Sequence, residues 1–147
     1  KVPVWNPETC IQCNTCAFVC PHAAIRPFIL TEEEAANVPA GLKLAQGKAV
    51  LKDYKFAISI SVDDCTGCGN CADVCLSKEK SLVMASYLDE TAEQANYDYL
   101  NSKVGYKDTV LHKAQSLKNA QFAQPLFEFS GACAGCGIPC ISILHQC

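Results

Sequence analysis

The sequence predicts an α+β fold made of two similar halves related by a pseudo-twofold axis, with an insertion and a C-terminal extension. The first observation is an internal repeat, since the cysteine run Cys10, Cys13, Cys16, Cys20 recurs with the same spacing as Cys65, Cys68, Cys71, Cys75. The second is that a strand pattern precedes and follows each run. The third is composition: 50% hydrophobic and 18% charged residues are typical of a globular chain.

In the first half, residues 2 to 5 are a strand candidate, and a short helix is expected from about residue 15 to 20. Residues 24 to 30 have the pattern of a strand that Pro27 either ends or places at a sheet edge, because proline has no N–H to donate. An insertion, residues 31 to 53, follows. Thr31 and Glu34 predict a capping box at the start of a helix, and residues 41 to 53 are expected on the surface.

In the second half, residues 56 to 62 alternate with period two, which predicts a half-buried strand, and residues 81 to 85 form the matching strand after the cysteines. We place the boundary of this first domain at residue 86. Residues 87 to 130 are expected to wrap around it. Leu88, Ala92, Ala95 and Tyr99 lie at helical spacing, a second helix is predicted over about residues 107 to 118, and residues 121 to 129 are expected to be extended.

The cysteine spacing is C-x2-C-x2-C-x3-C in both runs, and Pro21 closes the first. This spacing is typical of ligands to a [4Fe–4S] cluster. Three thiolates in one tight loop reach three corners of a cubane, whereas the fourth cysteine lies on a short helix that leads away. Disulfides are a weaker interpretation, because such close pairs would be redundant, and four-cysteine zinc sites remain the structural alternative.

The repeat resembles the bacterial two-cluster ferredoxins, in which the fourth cysteine of each run ligates the other cluster. The predicted ligand sets are therefore Cys10, Cys13, Cys16, Cys75 for the first cluster, and Cys65, Cys68, Cys71, Cys20 for the second. Leu76 stands where the first run has Pro21. Proline is not a ligand there, so we expect the first cluster to form without it.

A third cysteine group lies in residues 131 to 147, with candidate ligands Cys133, Cys136, Cys140 and Cys147. A third [4Fe–4S] cluster is the functional interpretation, and a zinc site or an unmetallated terminus is the alternative. On one helix, Cys140 and Cys147 would be roughly 10 Å apart. Cys147 therefore ligates the same cluster only if the helix ends before it.

Cys-Ile-Gln-Cys-Asn-Thr-Cys-Ala-Phe-Val-Cys-Pro-His at residues 10 to 22 and Glu-Phe-Ser-Gly-Ala-Cys at residues 128 to 133 resemble pyruvate:ferredoxin oxidoreductase, of the 2-oxoacid oxidoreductase family. Residues 1 to about 137 are similar to its ferredoxin-like domain and the start of its thiamine-diphosphate domain. The resemblance implies that the first two clusters are the medial and distal relays. It also implies that Cys133 and Cys136 are half of the proximal ligand set.

The sequence departs from that family after Gly137, where it has Ile138-Pro139-Cys140. The family's thiamine, pyruvate and coenzyme A parts have no counterpart here, and Cys140 and Cys147 resemble substitutes for two distant ligands. Together with a start at Lys1 and an end at Cys147, this leads us to expect a truncated or engineered piece of a longer chain.

The expected function is therefore single-electron transfer, with no catalytic residues in this chain. An active subunit of a 2-oxoacid:ferredoxin oxidoreductase is the second hypothesis. The resemblance implies a redox partner, either ferredoxin, flavodoxin or the remainder of such an enzyme. A net charge of -3 and no basic stripe argue against nucleic acid, and no apolar run predicts a membrane span. So many free thiols predict a reducing cytoplasm.

Overall fold

The computed structural model describes residues 1–107, 110–111, 115–126 and 128–129. Its strands are β1 Val2–Trp5, β2 Ile25–Leu30, β3 Ala45–Gln46, β4 Lys55–Ile60 and β5 Leu82–Ala85. Its α-helices are α1 Thr15–Phe18, α2 Glu32–Ala36, α3 Asn70–Asp73, α4 Glu93–Tyr99 and α5 Leu117–Ala120. Short 3-10 helices lie at Ala49–Leu51 and Tyr87–Asp89, and α4 continues into a π-helical turn at Leu100–Val104. No helix of the described part is long and apolar enough to cross a membrane.

The strands form two antiparallel sheets, and each of the two principal pairs joins one strand from either half. In the first sheet β1 pairs with β5, and Val2 lies opposite Ala85. In the second sheet the order is β2-β4-β3. β2 is therefore an edge strand, as Pro27 predicted. Proline has no N–H to donate, and no described strand lies beside the outer edge of β2 to accept one.

The prediction that β4 is half-buried was wrong, since residues 56 to 60 are all buried. One face of the strand packs into the core, where Phe56 has 0% exposure. Helix α4 covers the other face. Ser59, on that face, donates from its hydroxyl to Oε1 of Glu93 at 2.6 Å. This polar side chain is therefore buried with a hydrogen-bond partner.

The inserted segment, residues 31 to 53, begins with the predicted capping box. The Thr31 N–H donates to Oε2 of Glu34 at 2.8 Å, and the Glu34 N–H donates to Oγ1 of Thr31 at 3.2 Å. Residues 41 to 53, however, do not lie entirely on the surface. Within them β3 extends the second sheet, and Leu51 is fully buried.

The chain after β5 differs from the predicted pattern. Among the described residues between 107 and 118, Lys107, Val110 and Leu111 are not helical, and α5 begins only at Leu117. Residues 121 to 126 and 128 to 129 form turns rather than an extended strand. At the start of this stretch, Lys107 forms a 2.8 Å ion pair with Glu34 of the inserted segment. The predicted third cysteine group lies outside the described residues.

Candidate metal centres

The two cysteine runs have the same backbone path. In each run two residues adopt positive φ, Gln12 (58°) and Asn14 (62°) in the first and Gly67 (68°) and Gly69 (84°) in the second. Each pair is followed by a four-residue helix, α1 or α3. The repeated turns direct the first three cysteines of each run toward one cavity.

The first cavity lies between the first loop and the end of α3. It is lined by all four cysteines predicted for the first cluster, Cys10, Cys13, Cys16 and Cys75. Trp5, Ile58 and Leu82 form apolar walls, so the sulfur atoms face a site from which the side chains exclude much of the water.

The second cavity lies on the other side of α1 and α3. It is lined by the other predicted set, Cys20, Cys65, Cys68 and Cys71, together with apolar residues such as Ile25 and Ile60. Within the described residues, no three His, Cys, Asp or Glu side chains lie close enough together for a single ion, so the cysteines surround cavities instead.

Burial makes the most enclosed thiol of each cavity a poor acid. Burial, with Cys10 and Cys13 adding repulsion, raises the pKa of Cys16 to about 12. Burial likewise raises the pKa of Cys71 to about 11, with Cys20 and Cys65 contributing. Four thiolates around one cavity repel one another and need a cationic group between them. A bound metal centre supplies that positive charge and stabilises the thiolates. The donor set fits iron–sulfur ligation.

Hydrogen bonds already stabilise negative charge on some of the sulfur atoms. The Gln12 N–H donates to Sγ of Cys10 at 3.4 Å, and the Thr15 hydroxyl donates to Sγ of Cys13 at 3.3 Å. Burial alone would raise the pKa of Cys75. Hydrogen bonds to its sulfur from the backbone and hydroxyl groups of Ser77 and Ser81 outweigh that effect and lower the pKa.

The indole of Trp5 gives a further indication of what the first cavity holds. Its ring is 4% exposed and lines that cavity. Its Nε1 is buried, and no described residue accepts a hydrogen bond from it. Buried donors in folded proteins almost always have acceptors. A sulfur atom in this cavity would provide one, and Trp5 also lines a neighbouring cavity whose described lining contains no cysteine.

The comparisons with known proteins agree with this geometry. Residues 2–76, which include both cysteine runs, match the family described as 4Fe-4S dicluster domain. The chain belongs to the 4Fe-4S dicluster domain family. As a 4Fe-4S dicluster domain it carries iron–sulfur clusters, and its function is electron transfer.

Three curated relatives are much longer proteins. The chain is 48% identical over 150 residues to a pyruvate:ferredoxin oxidoreductase of Moorella thermoacetica, covering 99% of this chain and 13% of the relative. It is 50% identical over 140 residues to a pyruvate-flavodoxin oxidoreductase of Klebsiella pneumoniae, covering 93% and 11%. A mitochondrial pyruvate dehydrogenase [NADP(+)] of Euglena gracilis is 40% identical over 147 residues, covering 99% and 8%. The chain thus spans about a tenth of the length of these oxidoreductases.

Sequence reasoning located the cysteines of this dicluster domain but missed the residues that support them. Ser77 and Ser81 follow the second run and bond Cys75. Gln12 and Asn14 are almost fully buried between the cysteines of the first run. One signal was available, since the repeat aligns these two amides with Gly67 and Gly69, so a positive φ was predictable there.

Proposed function

We propose that this dicluster domain relays single electrons through two [4Fe–4S] clusters held by crossed ligand sets. The first set is Cys10, Cys13, Cys16 and Cys75, and the second is Cys65, Cys68, Cys71 and Cys20. The observation that carries the proposal is that each set lines its own cavity and that neither cavity is lined by cysteines from only one run.

Bound clusters would supply reversible one-electron chemistry, and the protein's part is to hold and insulate them. The thiolates ligate iron, the apolar walls formed by residues such as Ile58 and Ile60 limit water, and N–H and O–H donors to sulfur favour the reduced form. Asp63 and Asp64 precede the second run, and we propose that their charge lowers the potential of the second cluster relative to the first.

We propose that an electron passes directly between the two sites. The thiol of Cys71, in the second set, is among the groups that raise the pKa of Cys16, in the first. Helices α1 and α3, which carry these cysteines, pack against each other. Electron transfer between the two sites therefore has a short, protein-enclosed route.

The repeat supports a pseudo-twofold relationship between the halves. Helix α1 with its left-handed N-cap residue Asn14 has a counterpart in α3 with Gly69. We propose residues 1–86 as the two-cluster domain, residues 87–130 as a linking segment, and residues 131–147 as the third cysteine group. A reducing cytoplasm remains the proposed location.

We further propose that the domain works within, or beside, a pyruvate oxidoreductase that passes electrons to ferredoxin or flavodoxin. The names of the Moorella and Klebsiella relatives support this. On its own the domain is proposed to carry electrons without catalysing pyruvate oxidation. An active subunit is the second candidate, and pyruvate-dependent ferredoxin reduction by the purified chain would establish it.

Iron and sulfide analysis of the anaerobically purified chain, with EPR of the reduced protein, tests the proposal. Two clusters require about eight iron and eight sulfide per chain, whereas a third cluster on Cys133, Cys136, Cys140 and Cys147 requires about twelve of each. Zinc without sulfide would overturn the electron-transfer mechanism proposed here.

A further inference from the structure

Two amide side chains distinguish the first cysteine loop from the second. Gln12 and Asn14 lie on either side of Cys13 and are 1% and 2% exposed. Both adopt the left-handed backbone conformation, with φ values of 58° and 62°. That conformation is unfavourable for a residue with a side chain, and the second loop avoids the cost with Gly67 and Gly69. The first loop therefore retains these side chains at an energetic cost.

The side chain of Gln12 joins the first loop to the inserted segment. Its Nε2 donates to the carbonyl oxygen of Gln46 at 2.8 Å, and its Oε1 accepts from the N–H of Lys48 at 2.9 Å. Nζ of Lys48 then donates to the carbonyl oxygen of Cys10 at 2.8 Å. Both functional atoms of a buried amide are thus used to fix the loop against residues 46 to 48.

The side chain of Asn14 joins the same loop to the chain that follows the repeat. Its Nδ2 donates to the carbonyl oxygen of Lys118, in α5, at 3.0 Å. Asn14 is also the N-cap residue of α1, which carries Cys16. A displacement of α5 would therefore be transmitted to the turn between Cys13 and Cys16.

The second loop is held in a different way. A Cβ atom at Gly67 would lie 2.5 Å from the carbonyl oxygen of Lys1, so the loop packs by close backbone approach. Gly69 has no atom within 4 Å of the position its Cβ would take. Neither glycine can form a side-chain bond to the inserted segment or to α5.

We propose that Gln12 and Asn14 are positioning residues for the first cluster, which hold Cys13 in place by joining its loop to the inserted segment and to α5. This inference rests on the proposed two-cluster function. Iron retention and the midpoint potential of the first cluster then depend on two segments outside the repeat. Those of the second cluster do not. By thermodynamic reciprocity, binding of the first cluster also stabilises residues 46 to 48 and α5 against local opening.

The test uses Gln12→Gly and Asn14→Gly in the full chain carrying its clusters. Glycine relieves the backbone strain and is the residue that the second loop uses, so these variants remove the amide bonds and the buried side-chain packing without adding strain. Iron release to a chelator is followed, with Cys13→Ser and Cys68→Ser identifying the signals of the first and second clusters. We expect the first cluster to lose iron about fivefold faster per lost net hydrogen bond, and therefore faster in Gln12→Gly, which loses two bonds, than in Asn14→Gly, which loses one, with the second cluster unchanged.

The midpoint potential separates positioning from general destabilisation. Each glycine variant is expected to shift the potential of the first cluster and leave that of the second unchanged, whereas a merely less stable domain would shift neither. Gln12→Met and Asn14→Leu remove the amide groups, keep nearly the same side-chain volume and add no charge. Gly69→Asn is the matched control, because it adds the same amide where no described atom lies near.

Two outcomes would overturn the inference. One is that iron release and both potentials in the Gln12 and Asn14 variants equal those of the parent chain. The other is that both clusters respond equally, which would assign the amides a role in general stability. A parent chain without two clusters would instead overturn the proposed function, so the two failures are distinguishable.

Discussion

Arg26 on β2 donates from Nη2 to the carbonyl oxygen of Ala123 at 2.7 Å, joining the first half of the domain to the chain that leads toward the third cysteine group. The same guanidinium donates to the side-chain and backbone oxygens of Gln121. Arg26 is only 3% exposed. A charged side chain is buried there because backbone and amide oxygens replace its water.

Replacing Arg26 with methionine should lower the free energy of unfolding by about 3 kcal/mol, because buried oxygens lose a charged donor. The change is measured by denaturant unfolding of the cluster-loaded chain under anaerobic conditions. Lys55→Met is the control. Lys55 forms an ion pair with Glu32, and the two side chains are 30% and 68% exposed, so the pair should contribute only about 0–1 kcal/mol. Equal losses in both variants would show that Arg26 does not anchor the C-terminal chain.

Replacing Trp5 with phenylalanine should lower the midpoint potential of the first cluster. The ring and its edge contact with Phe56, 6.0 Å between centroids, are preserved in kind. The substitution removes the indole N–H, which lacks an acceptor among the described residues, together with part of the ring volume. Hydrogen bonds to sulfur favour the reduced cluster. The potential is read by an EPR-monitored titration, and the second cluster in the same sample is the internal control. An unchanged first potential would mean that the indole does not donate to the cluster.

Tyr106 should make stability sensitive to alkaline pH. Burial and the hydrogen bond to Glu128 raise the pKa of Tyr106 to about 12 from its ordinary 10.0. Because the folded-state pKa is higher than the unfolded one, the stabilisation is complete below pH 10 and is lost as pH rises toward 12. The phenol also faces Tyr97, whose pKa burial raises, and the cation of Arg26.

Unfolding of the parent chain and Tyr106→Phe over this pH range checks that expectation. Near neutral pH the variant should be the less stable of the two, because the Glu128 carboxylate loses a donor. The difference should shrink between pH 10 and 12, when tyrosine ionises in the parent chain. A difference that stays constant with pH would contradict the raised pKa.

The features that the sequence predicted depend on local patterns. The capping box of Thr31 and Glu34, the edge position of β2 and the short helices after Asn14 and Gly69 are each determined by a few neighbouring residues. The cysteines that line each cavity are those grouped by the resemblance to two-cluster ferredoxins, while their ligation of clusters stays a prediction.

The features that the sequence did not predict depend on contacts between distant residues. The alternation in β4 suggested one exposed face, but Glu93 of α4 covers Ser59. Residues 41 to 53 have the composition of a surface loop, yet Gln46 and Lys48 bond Gln12. Neither contact leaves a periodic signal in the sequence, since each joins residues that lie far apart along the chain.

Replacing Cys20 with serine tests the crossed ligand sets most directly. Cys20 belongs to the first run but lines the second cavity with Cys65 and Cys71. The EPR spectrum of the reduced Cys20→Ser variant is compared with those of Cys68→Ser and Cys13→Ser. Crossed ligation predicts that Cys20→Ser alters the same signal as Cys68→Ser and spares the signal altered by Cys13→Ser. A loss that matches Cys13→Ser instead would place Cys20 on the first cluster and contradict the crossed arrangement.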